Sequence, residues 1–164
     1  METTFQKLRT TKLGEAGEAL IEKHFTAKGW TIYRPKRGKR HPLDMIGIDL
    51  QGRVLLIEVK TYPKRWAYSD TGIDARDWLA YLEIQRKNPN PILLVFIDIA
   101  QKSAYYFQIG YDLIQAAHAQ GDKVYFPLAL AKPLIHEIGE KSLSTLHAAA
   151  QDKTKGHSRL RQRV

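Results

Sequence analysis

The stretch Val54-Leu55-Leu56-Ile57-Glu58-Val59-Lys60 decides how this sequence is read. Leucine and β-branched residues fill it up to Glu58, which predicts a strand. Strand side chains alternate, so Val54, Leu56, Glu58 and Lys60 share one face while Leu55, Ile57 and Val59 share the other. Such a strand is too apolar for an exposed ribbon, yet its last two same-face residues are a carboxylate and an ammonium. Both arrive at the C-terminal end of a buried element, where open sheets commonly place ligands.

Working upstream, Leu43 to Leu50 alternates as a strand, and Gln51-Gly52 supplies a hairpin turn to Val54. Pairing about that turn sets Asp44 roughly across from Lys60, with Glu58 nearby. Two carboxylates at one point repel each other and ionise cheaply only beside a cation. Hard oxygen ligands of this kind suit Mg²⁺, with Mn²⁺ able to substitute.

Further upstream, Leu13 to Lys28 reads as an amphipathic helix ended by Gly29. Leu13, Ala16, Gly17, Leu20, Ile21 and His24 share one arc, with Phe25 at its edge. Glu15 and Glu22 point away from that arc, whereas Glu18 sits at its border beside Phe25. Glu18 is therefore the acid that a packed helix directs toward the sheet rim. Trp30 to Arg34 is a short strand, and a basic loop follows with Arg34, Lys36, Arg37, Lys39 and Arg40. Such clusters are usually solvated surface, but this one adjoins Asp44, which favours contact with a phosphate backbone. Lys64 and Arg65, with Trp66 and Tyr68, add cations and stacking faces just after Lys60.

Downstream, residues 61–72 are polar and loop-like. Asp74 caps a helix running to Lys87, and Asn88-Pro89-Asn90-Pro91 stops it. Ile92 to Ile99 is a strand buried on both faces, and Ala104 to Ile109 pairs with it. Tyr111 to Gln120 reads as a helix, Lys123 to Leu130 as an edge strand, and Glu140 to Gln151 as a last helix. The expected organisation is one domain over 1–151, with a core at about 13–109, an extension at 110–151 and a basic flexible tail at 152–164. The fold class is α/β, a central mixed sheet flanked by helices.

Bulk properties narrow the function. The chain has 164 residues and no cysteine, which excludes disulfides, thiolate metal sites and cysteine nucleophiles. Its 26 Lys and Arg against 17 Asp and Glu leave a net charge of +9, which favours a polyanionic partner. The N-terminus lacks the apolar core of a secretory signal, and no apolar run reaches membrane-spanning length, so a cytoplasmic location without membrane association is expected. His24 falls on the apolar helix arc as a packing residue, and His136, His147 and His157 show no metal-ligand spacing.

Taken together, the helical Glu18 in Gly-Glu-Ala-Gly-Glu-Ala-Leu-Ile-Glu-Lys-His-Phe-Thr-Ala-Lys-Gly-Trp, the aspartate in His-Pro-Leu-Asp-Met-Ile-Gly-Ile and the strand ending Glu58-Val59-Lys60 resemble the PD-(D/E)xK nuclease superfamily. That superfamily is typified by restriction endonucleases and archaeal Holliday-junction resolvases. Glu18 lies eleven residues before Gly29, which an aromatic follows, as in the resolvase-like pattern. One departure is that Leu43 separates Pro42 from Asp44. Asp49, the nearest rival acid, lies on the opposite strand face.

The resemblance implies a restriction-endonuclease-like core and a Mg²⁺-dependent DNA endonuclease, with no small-molecule cofactor. Asp44, Glu58 and the Val59 carbonyl would hold the metal, with Glu18 acting directly or through water. Lys60 would orient the attacking water and help deprotonate it. A structure-specific, junction-resolvase-like enzyme of recombination or repair, acting as a homodimer on branched or duplex DNA, is the expected function. A site-specific restriction or mobile-element (homing) endonuclease is the alternative within the class, and a non-catalytic nucleic-acid-binding protein on the same fold is the alternative outside it.

Overall fold

The computed structural model describes residues 9–35, 42–62, 65 and 67–151. Helix α1 (Arg9–Ala27) leads into the strands β1 (Thr31–Tyr33), β2 (Met45–Ile48) and β3 (Val54–Lys60). Then come β4 (Asp70–Asp74), α2 (Ala75–Lys87), β5 (Ile92–Asp98), β6 (Ser103–Gln108), α3 (Tyr111–Ala116), β7 (His118–Gln120), β8 (Lys123–Pro127), β9 (Lys132–Ile135) and α4 (Glu140–Gln151). The main sheet has the order β1-β2-β3-β5-β6-β9 and a smaller one the order β4-β8-β7. Only β3 and β5 run parallel, joined by β4 and α2; the other neighbours are antiparallel. The sheet is therefore mixed, as expected from the sequence.

The two faces of β5 show how the core is divided. Every residue of β5 is buried. Leu93, Val95 and Ile97 join Ile57 and Val59 against α1 and α4, through Ile21, Phe25, Leu143 and Leu146. Ile92, Leu94 and Phe96 join Leu56 against α2, α3 and the small sheet, through Trp78, Tyr81, Leu113, Val124 and Phe126. Each fully buried side chain of this size contributes about 1.5–3 kcal/mol. The continuous apolar pattern of β5 follows from having a layer on both sides.

Helix α1 ends as its glycine predicts. Gly29 adopts φ +83°, the Trp30 N–H reaches back to the Phe25 carbonyl at 3.1 Å, and the Gly29 N–H reaches Thr26 at 2.9 Å. The Phe25 and Trp30 rings stack at 4.4 Å, closing the motif with an apolar contact. This fixes the turn from α1 into β1.

Several expectations are corrected. The β2–β3 turn spans residues 50–52, with Gly52 at φ +77° and the Asp49 N–H on the Arg53 carbonyl at 3.1 Å. This three-residue turn pairs Met45 with Ile57, so Asp44 comes opposite Glu58 rather than Lys60. The segment expected as loop up to residue 72 ends in β4, whose Asp70 is buried because Arg65 satisfies its carboxylate. The helix expected to Gln120 stops at Ala116. Its continuation is β7, wholly exposed and held by pairing with β8. β8 ends at Pro127 and lies in the middle of the small sheet, with alternating burial, not at an edge. β9, a strand not expected from the sequence, is one edge of the main sheet, where Pro133 is tolerated. Asp74 stands at the N-cap of α2 without a side-chain cap bond, its carboxylate going instead to Lys123. Among the described residues, no helix is long and apolar enough to cross a membrane.

Candidate active site

The end of β3 and the middle of α1 meet at a glycine. A Cβ on Gly17 would stand 2.2 Å from the Thr61 Oγ1 and 3.1 Å from the Ile97 Cδ1. A glycine here lets the helix lie this close to the residue that follows Lys60 without displacing the Thr61 hydroxyl. Glu18, the next residue, is thereby carried to the sheet rim near Asp44.

Asp44 directly precedes β2. Its N–H donates to the Ile57 carbonyl at 3.1 Å, and its Oδ2 accepts the Val59 N–H at 2.7 Å. The carboxylate thus extends the ladder by one hydrogen bond and is fixed against β3. On β3, Glu58 is buried at 7% exposure. Its Oε1 accepts both the Tyr81 hydroxyl and the Lys60 ammonium, each at 2.7 Å. Lys60 also reaches the Asp77 Oδ2 at 3.3 Å, and its ammonium lies 5.9 Å from the Tyr81 ring centroid. Each acid therefore has one oxygen engaged by these donors, Oδ2 on Asp44 and Oε1 on Glu58.

The electrostatics carry the signature of crowded acids. Burial, reinforced by the charge of Asp44, pushes the Glu58 carboxyl up to about 7. Burial also raises Asp44, although the Val59 N–H and the Lys60 charge pull the other way. Glu18 is raised by burial and by Asp44, against the opposing pull of Arg34. Burial alone would lower Lys60, but the charge of Glu58 outweighs it and holds the ammonium protonated above its ordinary range. Three carboxyls raised together and one firmly charged lysine form a site short of positive charge.

Asp44 and Glu58 fit a hard divalent cation, because burial raises both carboxyls, the charge of Asp44 raises Glu58 further, and a cation would compensate both. Glu18 is presently turned to Arg34, which also reaches Glu22 at 3.2 Å. Among the described residues, no three such side chains are gathered closely enough to surround an ion. The fit therefore rests on the two facing acids, with Glu18 one guanidinium away.

Other residues singled out from the sequence fall as follows. Arg65 is engaged within the small sheet's surroundings. It binds Asp70 through both oxygens and Gln120 at 2.6 Å, and lies between the Tyr68 and Tyr125 rings at 4.1 and 3.6 Å from their centroids. Lys36, Arg37, Lys39, Arg40, Lys64, Trp66 and the tail lie outside the described residues. Asp49 serves the β2–β3 turn, accepting from the Gln51 and Arg53 N–H groups at 2.9 Å, well away from the acids. His24 packs edge-on against Phe25 at 5.7 Å. Gln85 of α2, which the sequence does not single out, holds the turn before β5, donating to the Asn88 and Asn90 carbonyls and accepting from the Ile92 N–H.

Asp77 and Tyr81 were missed. Their one available signal was the i, i+4 spacing that sets both on one face of α2. Nothing in the sequence said that this face meets Glu58 and Lys60.

A Holliday junction resolvase of the archaeal hyperthermophile Archaeoglobus fulgidus, Hjc, superposes with a TM-score of 0.50 over 79% of this chain and 97% of its own, at 14% identity. The fold is restriction-endonuclease-like. A bacterial homing endonuclease also matches, with a TM-score of 0.42 and 16% identity over 99% of both chains. No protein-family model matches the sequence. No curated protein matches it either.

Proposed function

We propose that this protein is a divalent-metal-dependent DNA endonuclease. The observation that carries the reading is the facing pair Asp44 and Glu58, both raised by burial and Glu58 further by the charge of Asp44, with Lys60 beside them. Its fold, shared with a junction resolvase, and its net charge of +9 are in keeping with it.

In this reading Asp44, Glu58 and the Val59 carbonyl hold Mg²⁺ or Mn²⁺, and Glu18 joins directly or through water once Arg34 releases it. The cation, when bound, would polarise the scissile phosphate and acidify the attacking water. Lys60 would orient the attacking water and stabilise negative charge gathering on the phosphoryl oxygens, while the water's proton would pass to bulk solvent and the departing 3′ oxygen would take one from it. Attack of that water on phosphorus with departure of the 3′ oxygen would leave a 5′-phosphate and a 3′-hydroxyl. Lys36, Arg37, Lys39, Arg40 and Lys64 track the phosphate backbone.

A branched junction is the preferred substrate in this account, cut by a homodimer that sets one site on each of two strands. A cytoplasmic location in DNA recombination or repair accompanies it. Incubating the protein with branched, linear duplex and single-stranded DNA, in Mg²⁺ or EDTA, tests the reading. Cleavage in Mg²⁺ that EDTA and Lys60→Ala both abolish is expected. Tight DNA binding without metal-dependent cleavage of any substrate would instead mark a non-catalytic binding protein.

A further inference from the structure

Lys60 has two carboxylate partners on opposite sides, and only one of them belongs to the facing acid pair. Glu58 holds the ammonium at 2.7 Å from its own strand, while Asp77 holds it at 3.3 Å from the first turn of α2. Lys60 is itself largely enclosed, at 14% side-chain exposure. An acid in the first turn of a helix is ordinarily explained by the helix dipole. Asp77 does more than that, because its Oδ2 accepts from a strand residue seventeen positions away. Its other oxygen lies 3.6 Å from Arg76, a largely exposed side chain.

A cation engaging Glu58 would compensate its negative charge and weaken its hold on Lys60. Asp77 is the carboxylate that then remains. Tyr81, one turn further along α2, donates to Glu58, so the same helix face braces both members of the strand pair. We propose that Asp77 is a positioning residue for Lys60, keeping its ammonium in place when Glu58 is engaged elsewhere. This inference rests on the endonuclease reading, and its role is to set a geometry that the chemical step requires.

The test compares wild type, Asp77→Asn, Asp77→Glu and the control Glu83→Gln, which lies on the exposed side of α2. Steady-state cleavage of a branched duplex in Mg²⁺ is measured together with ¹⁵N-edited spectra of the lysine ammonium in metal-free protein. Asp77→Asn is expected to lower kcat by about tenfold or more with KM changed by no more than about twofold, since the loss falls on positioning for the transition state. Asp77→Glu should recover most of that loss, and Glu83→Gln should leave kcat unchanged. The protected Lys60 ammonium signal should exchange with water faster in Asp77→Asn alone. An unchanged kcat in Asp77→Asn, or a loss that Asp77→Glu does not recover, overturns the proposal. If wild type cleaves nothing, the endonuclease reading has failed. The ammonium spectra still decide separately whether Asp77 holds Lys60, and unchanged exchange in Asp77→Asn overturns that.

Discussion

The Val59 N–H donates to the Asp44 Oδ2 at 2.7 Å, which pins the aspartate across the ladder from Glu58. One hydrogen bond thus fixes the separation of two acids that repel each other, and the electrostatic cost is built into the fold.

That cost has a pH dependence. In the unfolded chain Glu58 titrates near 4.5, whereas in the folded chain it keeps its proton up to about 7. The folded state therefore binds the extra proton between those values, and stability falls as pH rises through the window. The gap corresponds to at most about 3 kcal/mol. Asp44 and Glu18 are raised too and act in the same direction. Urea unfolding of metal-free protein from pH 4.5 to 7.5 should show this decline. Glu58→Gln should remove most of it, and Mg²⁺ should offset it near pH 7. Stability that rises with pH across the window would contradict the assignment.

The close approach at Gly17 makes a second prediction. Gly17→Ala gains about 1 kcal/mol in helix propensity but forces a Cβ against Thr61, an overpacking that typically costs about 1–3 kcal/mol. The single variant should be destabilised or neutral, and its cleavage should fall because Glu18 is displaced. Thr61→Ala removes the Oγ1, leaving only the Thr61 Cβ position at 3.6 Å and the Ile97 methyl to yield. The double variant should be more stable than Gly17→Ala alone, as seen in thermal melts of the four proteins. Simple additivity of the two changes would sink the packing account.

How much of this was legible in sequence varies with range. Local patterns served well. The arc of α1, the apolar run of β5, the span of α4 and the strand ending in Glu58 and Lys60 all depend on near-neighbour spacing. The hairpin register did not, because one turn residue more shifts every pairing, and the extra residue is recognisable only once Gly52 is seen at positive φ. β7 falls in a stretch that the sequence assigns to a helix, because its side chains are all exposed and leave no burial pattern. Asp77 and Tyr81 became visible only when α2 was laid against β3, a contact that no local pattern encodes.

Arg34 supplies a third prediction. Its guanidinium occupies Glu18 and Glu22 where a cation would otherwise compensate charge. Arg34→Met should raise Mg²⁺ affinity in the absence of DNA by roughly fivefold, as expected for removal of one partly solvated charge. The same change should weaken DNA binding, because that charge is also lost to the phosphate backbone. Isothermal titration of Mg²⁺ into both proteins reads the first effect directly. Weaker Mg²⁺ binding by the variant would show that Arg34 supports the acid cluster rather than competing for it.

The most direct test of the central claim is cleavage of a branched DNA duplex by wild type and by Glu58→Gln, with Mg²⁺ titrated from zero. Wild type should cleave in a saturable, Mg²⁺-dependent manner, leaving 5′-phosphate ends. Glu58→Gln keeps a side-chain oxygen for the Tyr81 hydrogen bond and should lose activity by at least about a hundredfold. Wild-type cleavage that is independent of Mg²⁺, or a Glu58→Gln variant as active as wild type, would contradict the account.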